Sequence, residues 1–195
     1  MSEKALKRIE KALVGIREDL AELCARVDAL ASRDPASAPA PAELLAFLDQ
    51  FRAAEALGEA SLGAWIDTCT TDCLRGGLRT VQMREGSHAR LLEQRMKELG
   101  GSPEHEVPEQ VQRAVMESVA SRDKSDLEKL GELVTQLGDP GRALQPIFEM
   151  ADRLEGDPET QSLLRTIAQD ERSTLDWLCE SHALLSGETQ PSAAA

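Results

Sequence analysis

The chain has 195 residues, of which 41% are hydrophobic and 29% charged, and it carries a formal net charge of −13. This length allows a buried core without disulfide support, and the strong negative charge excludes nucleic acids and anionic membrane surfaces as partners. No stretch approaches the roughly 18 apolar residues of a membrane span, no leader peptide is recognisable, and the four cysteines lack zinc-type spacing, so a cytoplasmic location is predicted. Helix formers dominate and β-branched runs are missing, which predicts an all-α fold.

The N-terminal segment, residues 1–31, carries a heptad pattern. Apolar residues from Leu6 to Leu30 alternate three and four positions apart, as they do in a coiled-coil helix. Leucine at position a and isoleucine at position d favour trimers or tetramers, so we expect a homo-oligomer that forms through this helix. The alternative is that the helix folds back onto its own bundle. A Pro/Ala-rich linker is predicted at residues 32–42 and a disordered tail at residues 186–195.

Amphipathic stretches predict a bundle of four long helical regions within residues 43–185. These regions span residues 43–70, 72–99, 124–155 and 158–185. A glycine pair that begins at Gly100 should end the second region, and residues 102–123 are long enough to cross the length of a bundle. The Gly-Asp-Pro-Gly sequence at 138–141 predicts that the third region stops and restarts there. Its charged stretch, residues 126–132, is predicted to be a solvated helix face.

One helix of the chain occurs twice in altered form. The sequence LRTVQMREGSH, at residues 78–88, returns 86 positions later as LRTIAQDERST. That spacing pairs Glu85 with Glu171 and places Thr174 opposite His88. Residues three apart on a helix face the same way, so Glu85 and His88 can hold one metal ion from a single helix face. The second copy lacks the imidazole.

Ionisable residues interrupt the apolar stripes of three predicted helices. Glu55 lies on the stripe of the first helix, Glu85 and His88 on that of the second, and Glu171 on that of the fourth. Three carboxylates and one imidazole are therefore expected inside one bundle. A buried carboxylate without a partner costs several kcal/mol or becomes neutral, and these stripes hold too few basic residues to balance all three. A bound divalent cation would balance them.

This arrangement resembles the ferritin-like superfamily, whose four-helix bundles take one Glu from each of two helices and a Glu-x-x-His pair from each of the others. Glu55 lies 30 residues before Glu85, and the sequence REGSHARLLEQRMKELGG resembles the second helix of rubrerythrin-like members. The resemblance covers about residues 43–185. It implies that Glu55 and His88 are terminal ligands of one metal. Glu85 and Glu171 would bridge toward a second metal, with iron or manganese as the cofactor and one or two ions bound.

The chain also departs from the family pattern. The repeat spacing places Gly141 where a counterpart of Glu55 is required and Thr174 where a second histidine is required. Two ligands are thus missing, and both belong to the same metal position, so the intact half-site could hold a single ion. The residues considered as replacements are Asp139, Gln145 and Glu59.

Two functions are compatible with these residues. One is a ferritin-like protein that binds iron or another divalent metal and takes part in metal handling or oxidative metabolism, as an enzyme or otherwise. The alternative is a metal-free oligomeric scaffold in which the buried acids bond to each other or to Arg79, Arg84 or Arg165. His105 and His182 are predicted to lie away from the site.

Overall fold

The structure is a computed structural model, and it describes residues 38–187. This range holds six helices and no strand: α1 (Pro41–Thr68), α2 (Asp72–Glu98), α3 (Glu109–Val119), α4 (Asp126–Leu137), α5 (Pro140–Asp152) and α6 (Pro158–Ser186). The prediction of an all-α fold is confirmed for these residues. None of these helices is long and apolar enough to cross a bilayer. The predicted coiled coil at 1–31, residues 32–37 of the linker and residues 188–195 of the tail lie outside the described range.

Helices α1 and α2 form an antiparallel pair that is joined by the short turn at residues 69–71. α1 begins with Pro41, whose fixed φ suits the first turn of a helix. α2 ends at the predicted glycine pair, because Gly100 adopts a φ of 82° and the amide of Gly101 donates to the carbonyl of Met96 at 2.8 Å. The predicted bounds of both helices agree with the structure to within two residues.

The third predicted region consists of two helices, as its sequence indicates. α4 ends at Leu137, and Gly138 follows with a φ of 61°. Asp139 then caps α5 by accepting a hydrogen bond from the amide of Arg142 at 2.8 Å, and Pro140 is the first residue of α5. α5 and α4 pack against α6, α6 also meets α2, and α3 packs on α1. The described helices therefore pack as a helical bundle.

Two clusters of buried apolar residues fill the interior between these helices. The first includes Leu44, Leu48, Leu92, Met96, Ile147, Leu164, Ile167 and Leu175. The second includes Leu62, Trp65, Leu74, Leu78, Val81, Leu130 and Leu178. Along α1, Glu55 lies between Leu48 of the first cluster and Leu62 of the second. A layer of polar side chains thus separates two apolar halves, and this layer is the candidate site.

The prediction that residues 126–132 form a solvated helix face is wrong for two of its four charged residues, because Asp126 and Lys129 are each only 4% exposed. Asp126 Oδ2 accepts hydrogen bonds from the amides of Thr70 and Thr71 at 2.8 and 2.9 Å, and Oδ1 accepts one from Trp65 Nε1 at 2.9 Å. This carboxylate therefore anchors the turn between α1 and α2 to the start of α4. Such long-range hydrogen bonds leave no periodic pattern in the sequence.

Candidate metal centre

Three of the predicted ligands meet in the polar layer, each from a different helix. Glu55 comes from α1, His88 from α2 and Glu171 from α6. His88 Nδ1 lies 3.1 Å from Glu55 Oε2 and 3.2 Å from Glu171 Oε1. One potential ligand atom from each residue lies within 4.8 Å of the other two. The described part of the chain contains no second group of this kind.

The three side chains face the interior, as their positions on the apolar stripes predict. Glu55 and His88 are buried, and the side chain of Glu171 is 14% exposed. Glu171 Oε1 is itself shielded from solvent but has no hydrogen-bond partner in the described structure. This oxygen is within ion-pair distance of His88, but a shielded carboxylate oxygen that accepts no hydrogen bond is costly, and coordination to a cation would satisfy it. The residues therefore fit a bound metal ion.

Glu85, the fourth predicted ligand, lies beside these three residues but not among them. Its carboxyl group contacts Glu55 and lies against the backbone of Gly58 on α1. Burial raises the pKa of Glu85 to about 10, and the charges of Glu55 and Glu171 add to this increase. Its protonated, neutral form is therefore favoured when no cation is bound.

His88 supplies the positive charge within the cluster. Burial alone would lower the pKa of its imidazole, but the interactions with Glu171 and Glu55 outweigh burial and raise this pKa to about 10. Burial also raises the pKa of the Glu55 carboxyl, an increase that the hydrogen bond to His88 opposes. The charged, doubly protonated form of the imidazole is thus favoured, with Nδ1 directed to the carboxylates of Glu55 and Glu171.

Asp170 is a member of the site that the sequence pattern did not identify. Its Oδ2 lies 3.3 Å from Nε2 of His88, and its side chain is 45% exposed. The residue precedes Glu171 in α6 and approaches the imidazole from the solvent side of the cluster. An apolar stripe marks only residues that point inward, so it gives no indication of a partly exposed acid that reaches the far side of a ring. The only sequence indication is its adjacency to Glu171.

The positions of the two missing ligands differ in their surroundings. Gly141 is exposed in the first turn of α5 and provides no side chain. Thr174 is 3% exposed, and its Oγ1 has no hydrogen-bond partner in the described structure. None of the three considered replacements joins the cluster: Asp139 caps α5, Gln145 bonds to Glu149, and Glu59 reaches toward Arg90.

The remaining candidates lie elsewhere. His105 is exposed, and His182 faces Gly131 of α4, so both lie away from the cluster as predicted. The three arginines that the metal-free alternative requires do not neutralise the buried acids in the described structure. Arg165 bonds to Asp152, and no hydrogen bond or ion pair joins Arg79 or Arg84 to the buried acids. The acids are instead paired with His88, which balances part of their charge.

A donor set of two carboxylates and one imidazole suits iron, manganese or zinc better than calcium or magnesium. Three protein ligands leave coordination positions for water or for a further carboxylate, and Glu85 is the nearest candidate. No family model, no curated protein and no solved structure matches this chain.

Proposed function

We propose that this protein binds a single divalent transition-metal ion, iron or manganese, within its helical bundle. Glu55, His88 and Glu171 are the ligands, and Glu85 is available as a fourth. The observation that carries the proposal is the convergence of three donor groups from three helices, two of them buried and the third largely so, with one shielded carboxylate oxygen that accepts no hydrogen bond. A single ion is favoured over two because Gly141 and Thr174 provide no ligands for a second position.

We further propose that residues 43–185 are a ferritin-like four-helix bundle. The four long segments would be α1, α2, the interrupted pair α4 and α5, and α6, with α3 in the crossover connection. The Glu-x-x-His pair on α2 and the single glutamates on α1 and α6 occupy positions that this fold would give to metal ligands. The heptad pattern at 1–31 supports a homo-oligomer that assembles through a coiled coil. We place this homo-oligomer in the cytoplasm.

The contact between Asp170 and His88 supports metal binding through Nδ1. A histidine ligand commonly donates its second ring N–H to a carboxylate, which fixes the tautomer and the orientation of the ring. Here Asp170 is placed to accept from Nε2, and Nδ1 faces Glu55 and Glu171. Metal binding would displace the proton that Nδ1 shares with these acids.

A bound iron or manganese ion would supply Lewis-acid or redox chemistry for metal handling or oxidative metabolism. The protein supplies the ligands, the orientation of the imidazole and the exclusion of water. The apolar clusters on both sides of the polar layer shield it, since Leu48 and Leu92 lie on one side and Leu62 and Leu78 on the other. A low-dielectric site of this kind strengthens the attraction between the carboxylates and a cation.

A metal-free oligomeric scaffold is the second candidate function. It is favoured by one observation, namely that the imidazolium of His88 already contacts three carboxylates and so balances part of the buried charge. In this case the cluster would hold three helices together, and the predicted coiled coil would provide the contact between chains.

Metal content per chain distinguishes the two functions. The full chain would be incubated anaerobically with Fe(II), and in parallel with Mn(II), then desalted and analysed by atomic emission. We expect a single ion per chain, and its loss in Glu171→Gln, which keeps the shape of the side chain but removes the charge. Asp176→Asn, an exposed position on the same helix, is the matched control and should retain the ion. Two ions per chain would contradict a mononuclear site, and no retained ion with either metal would favour the scaffold.

A further inference from the structure

Helices α1 and α2 each have a glycine at the point where a glutamate side chain of the other helix packs against the backbone. The dipeptide Gly58-Glu59 on α1 faces Glu85-Gly86 on the antiparallel α2. A Cβ atom on Gly58 would lie 3.0 Å from Cδ of Glu85 and closer still to its Oε2. A Cβ atom on Gly86 would lie 2.8 Å from Oε2 of Glu59 and closer still to Oε1. Each glutamate can therefore lie over the neighbouring backbone only because the residue beneath it has no side chain.

The two pairs differ in where they direct the carboxyl group. Glu85 is directed inward, to Glu55, which precedes Gly58 by one turn of α1. Glu59 stays at the surface, where its side chain is 42% exposed and lies 3.5 Å from Arg90 Nη1. The first pair thus belongs to the polar layer and the second does not.

We propose that Gly58 is a positioning residue of the metal centre. This inference rests on the proposed metal-binding function. By leaving space between α1 and α2, Gly58 allows the Glu85 carboxyl group to lie beside Glu55 and act as the fourth ligand of the ion bound by Glu55, His88 and Glu171. Glycine is a poor helix former, so its presence in the interior of the 28-residue helix α1 is explained by this close approach.

Alanine at position 58 should displace Glu85 without displacing the helices. The atoms that its Cβ would meet are the terminal atoms of a flexible side chain, with Cγ of Glu85 at 3.4 Å as the innermost. Rotation of the Glu85 side chain relieves the overlap and moves the carboxyl group away from Glu55. The Gly86→Ala variant is a matched control, since it introduces the same methyl group at the same helix interface and displaces Glu59 instead.

Co(II) is a suitable probe, because its visible d–d absorption reports coordination number and geometry as well as binding. Four variants of the full chain would be titrated beside the wild type: Gly58→Ala, Gly86→Ala, Glu85→Ala, and the double variant Gly58→Ala/Glu85→Ala. We expect Gly58→Ala to lower the Co(II) affinity roughly tenfold or more, as the loss of a residue that orients a ligand does. Its spectrum should match that of Glu85→Ala, and the double variant should bind Co(II) no more weakly than Glu85→Ala alone. Gly86→Ala should retain wild-type affinity and spectrum.

Thermal unfolding of the metal-free protein provides a second measurement. Gly58→Ala should lower the melting temperature in the wild-type background and lower it much less when Glu85 is already alanine, because the overlap is then absent. If Gly58→Ala alone does not fold, Glu85→Ala should restore folding.

The outcomes separate this inference from the function on which it rests. Wild-type Co(II) affinity and spectrum in Gly58→Ala would overturn the role of Gly58 and leave the three-residue metal site intact. The same conclusion would follow if Gly58→Ala weakened binding further in the Glu85→Ala background. If the wild-type protein bound no Co(II), the proposed metal-binding function would fail, and the positioning role would fail with it.

Discussion

The Nδ1 atom of His88 lies 3.1 Å from Oε2 of Glu55, and both side chains are almost completely buried. The same nitrogen is 3.2 Å from Oε1 of Glu171. A ring nitrogen carries at most one hydrogen, so the two carboxylates compete for a single N–H. The contact with Glu55 has the geometry of a hydrogen bond, whereas Oε1 of Glu171 lies within ion-pair distance but accepts no hydrogen bond. A cation bound between the three groups, as proposed above, would interact with both oxygens at once.

Replacing His88 by alanine should destabilise the metal-free protein strongly. The substitution would leave Glu55 buried without its cationic partner, and breaking a buried ion pair in this way costs about 3–5 kcal/mol. The measurement is urea unfolding at neutral pH with a chelator present. His105→Ala, at an exposed position, is the control and should change the free energy of unfolding little. Equal stability of the two variants would show that His88 does not balance the buried acids.

Replacing Asp170 by asparagine should weaken metal binding while leaving the fold unchanged. An amide cannot accept the N–H of Nε2 as strongly as a carboxylate does, and loss of such an outer partner costs roughly 10–100-fold in metal affinity. Equilibrium dialysis against Mn(II) measures the effect, and circular dichroism checks that the helices are retained. Asp176→Asn is the control on the same helix. Unchanged affinity in Asp170→Asn would mean that Asp170 does not orient the imidazole.

The helices and the inward-facing positions of the candidate ligands could be predicted because helical periodicity is visible in the sequence. Glu55, His88 and Glu171 occupy positions where the stripe requires apolar residues, and all three lie in the interior layer of the described structure. The break before α5 was equally predictable, because Gly138 and Pro140 act locally on the backbone.

Contacts between different helices were not predictable from periodicity. Asp126 bonds to Trp65 and to the turn at residues 69–71, and nothing within its own helix indicates those partners. Asp170 and Gly58 likewise gain their roles from side chains on other helices, His88 and Glu85. Which residue approaches which across an interface depends on the rotation and axial position of each helix, which a single-helix pattern does not specify.

Asp126 should make the stability of this protein depend on pH in the acidic range. Burial alone would raise the pKa of its carboxyl group, but the hydrogen bonds from Trp65, Thr71 and Thr70 hold it well below its ordinary value of 3.8. The ionised form is thus favoured in the folded state. Its stabilising contribution is complete above the unfolded-state pKa and is lost progressively as the pH falls below about 4.

The Asp126→Asn variant tests this contribution. At neutral pH we expect a loss of about 1–3 kcal/mol, since the asparagine amide cannot accept all the hydrogen bonds that the carboxylate accepts. The difference from the wild type should shrink as the pH falls toward 3, and urea unfolding at several pH values measures it. Asp72→Asn, whose side chain is 90% exposed in the wild type, is the control. A difference that stays constant with pH would contradict the assigned role of the ionised carboxylate.

The adjacent glycines Gly76 and Gly77 should respond in opposite directions to substitution by alanine. A Cβ atom on Gly77 would lie 2.7 Å from Cη2 of Trp177 on α6 and closer still to two other atoms of the indole ring. The ring packs against the second apolar cluster and cannot move away freely. Gly77→Ala should therefore destabilise the protein by about 1–3 kcal/mol, the usual cost of overpacking.

Gly76 is the matched control for this substitution, because a Cβ atom there would meet nothing within 4 Å. Both residues lie in α2 with helical φ, so alanine improves helix propensity equally at each position. Gly76→Ala should consequently stabilise the protein by up to about 1 kcal/mol. Thermal and urea unfolding of the two variants, side by side, isolate the contact with Trp177 from the intrinsic preference of the helix. If Gly77→Ala stabilised the protein as much as Gly76→Ala, then α2 and α6 would not approach each other as closely as Trp177 indicates.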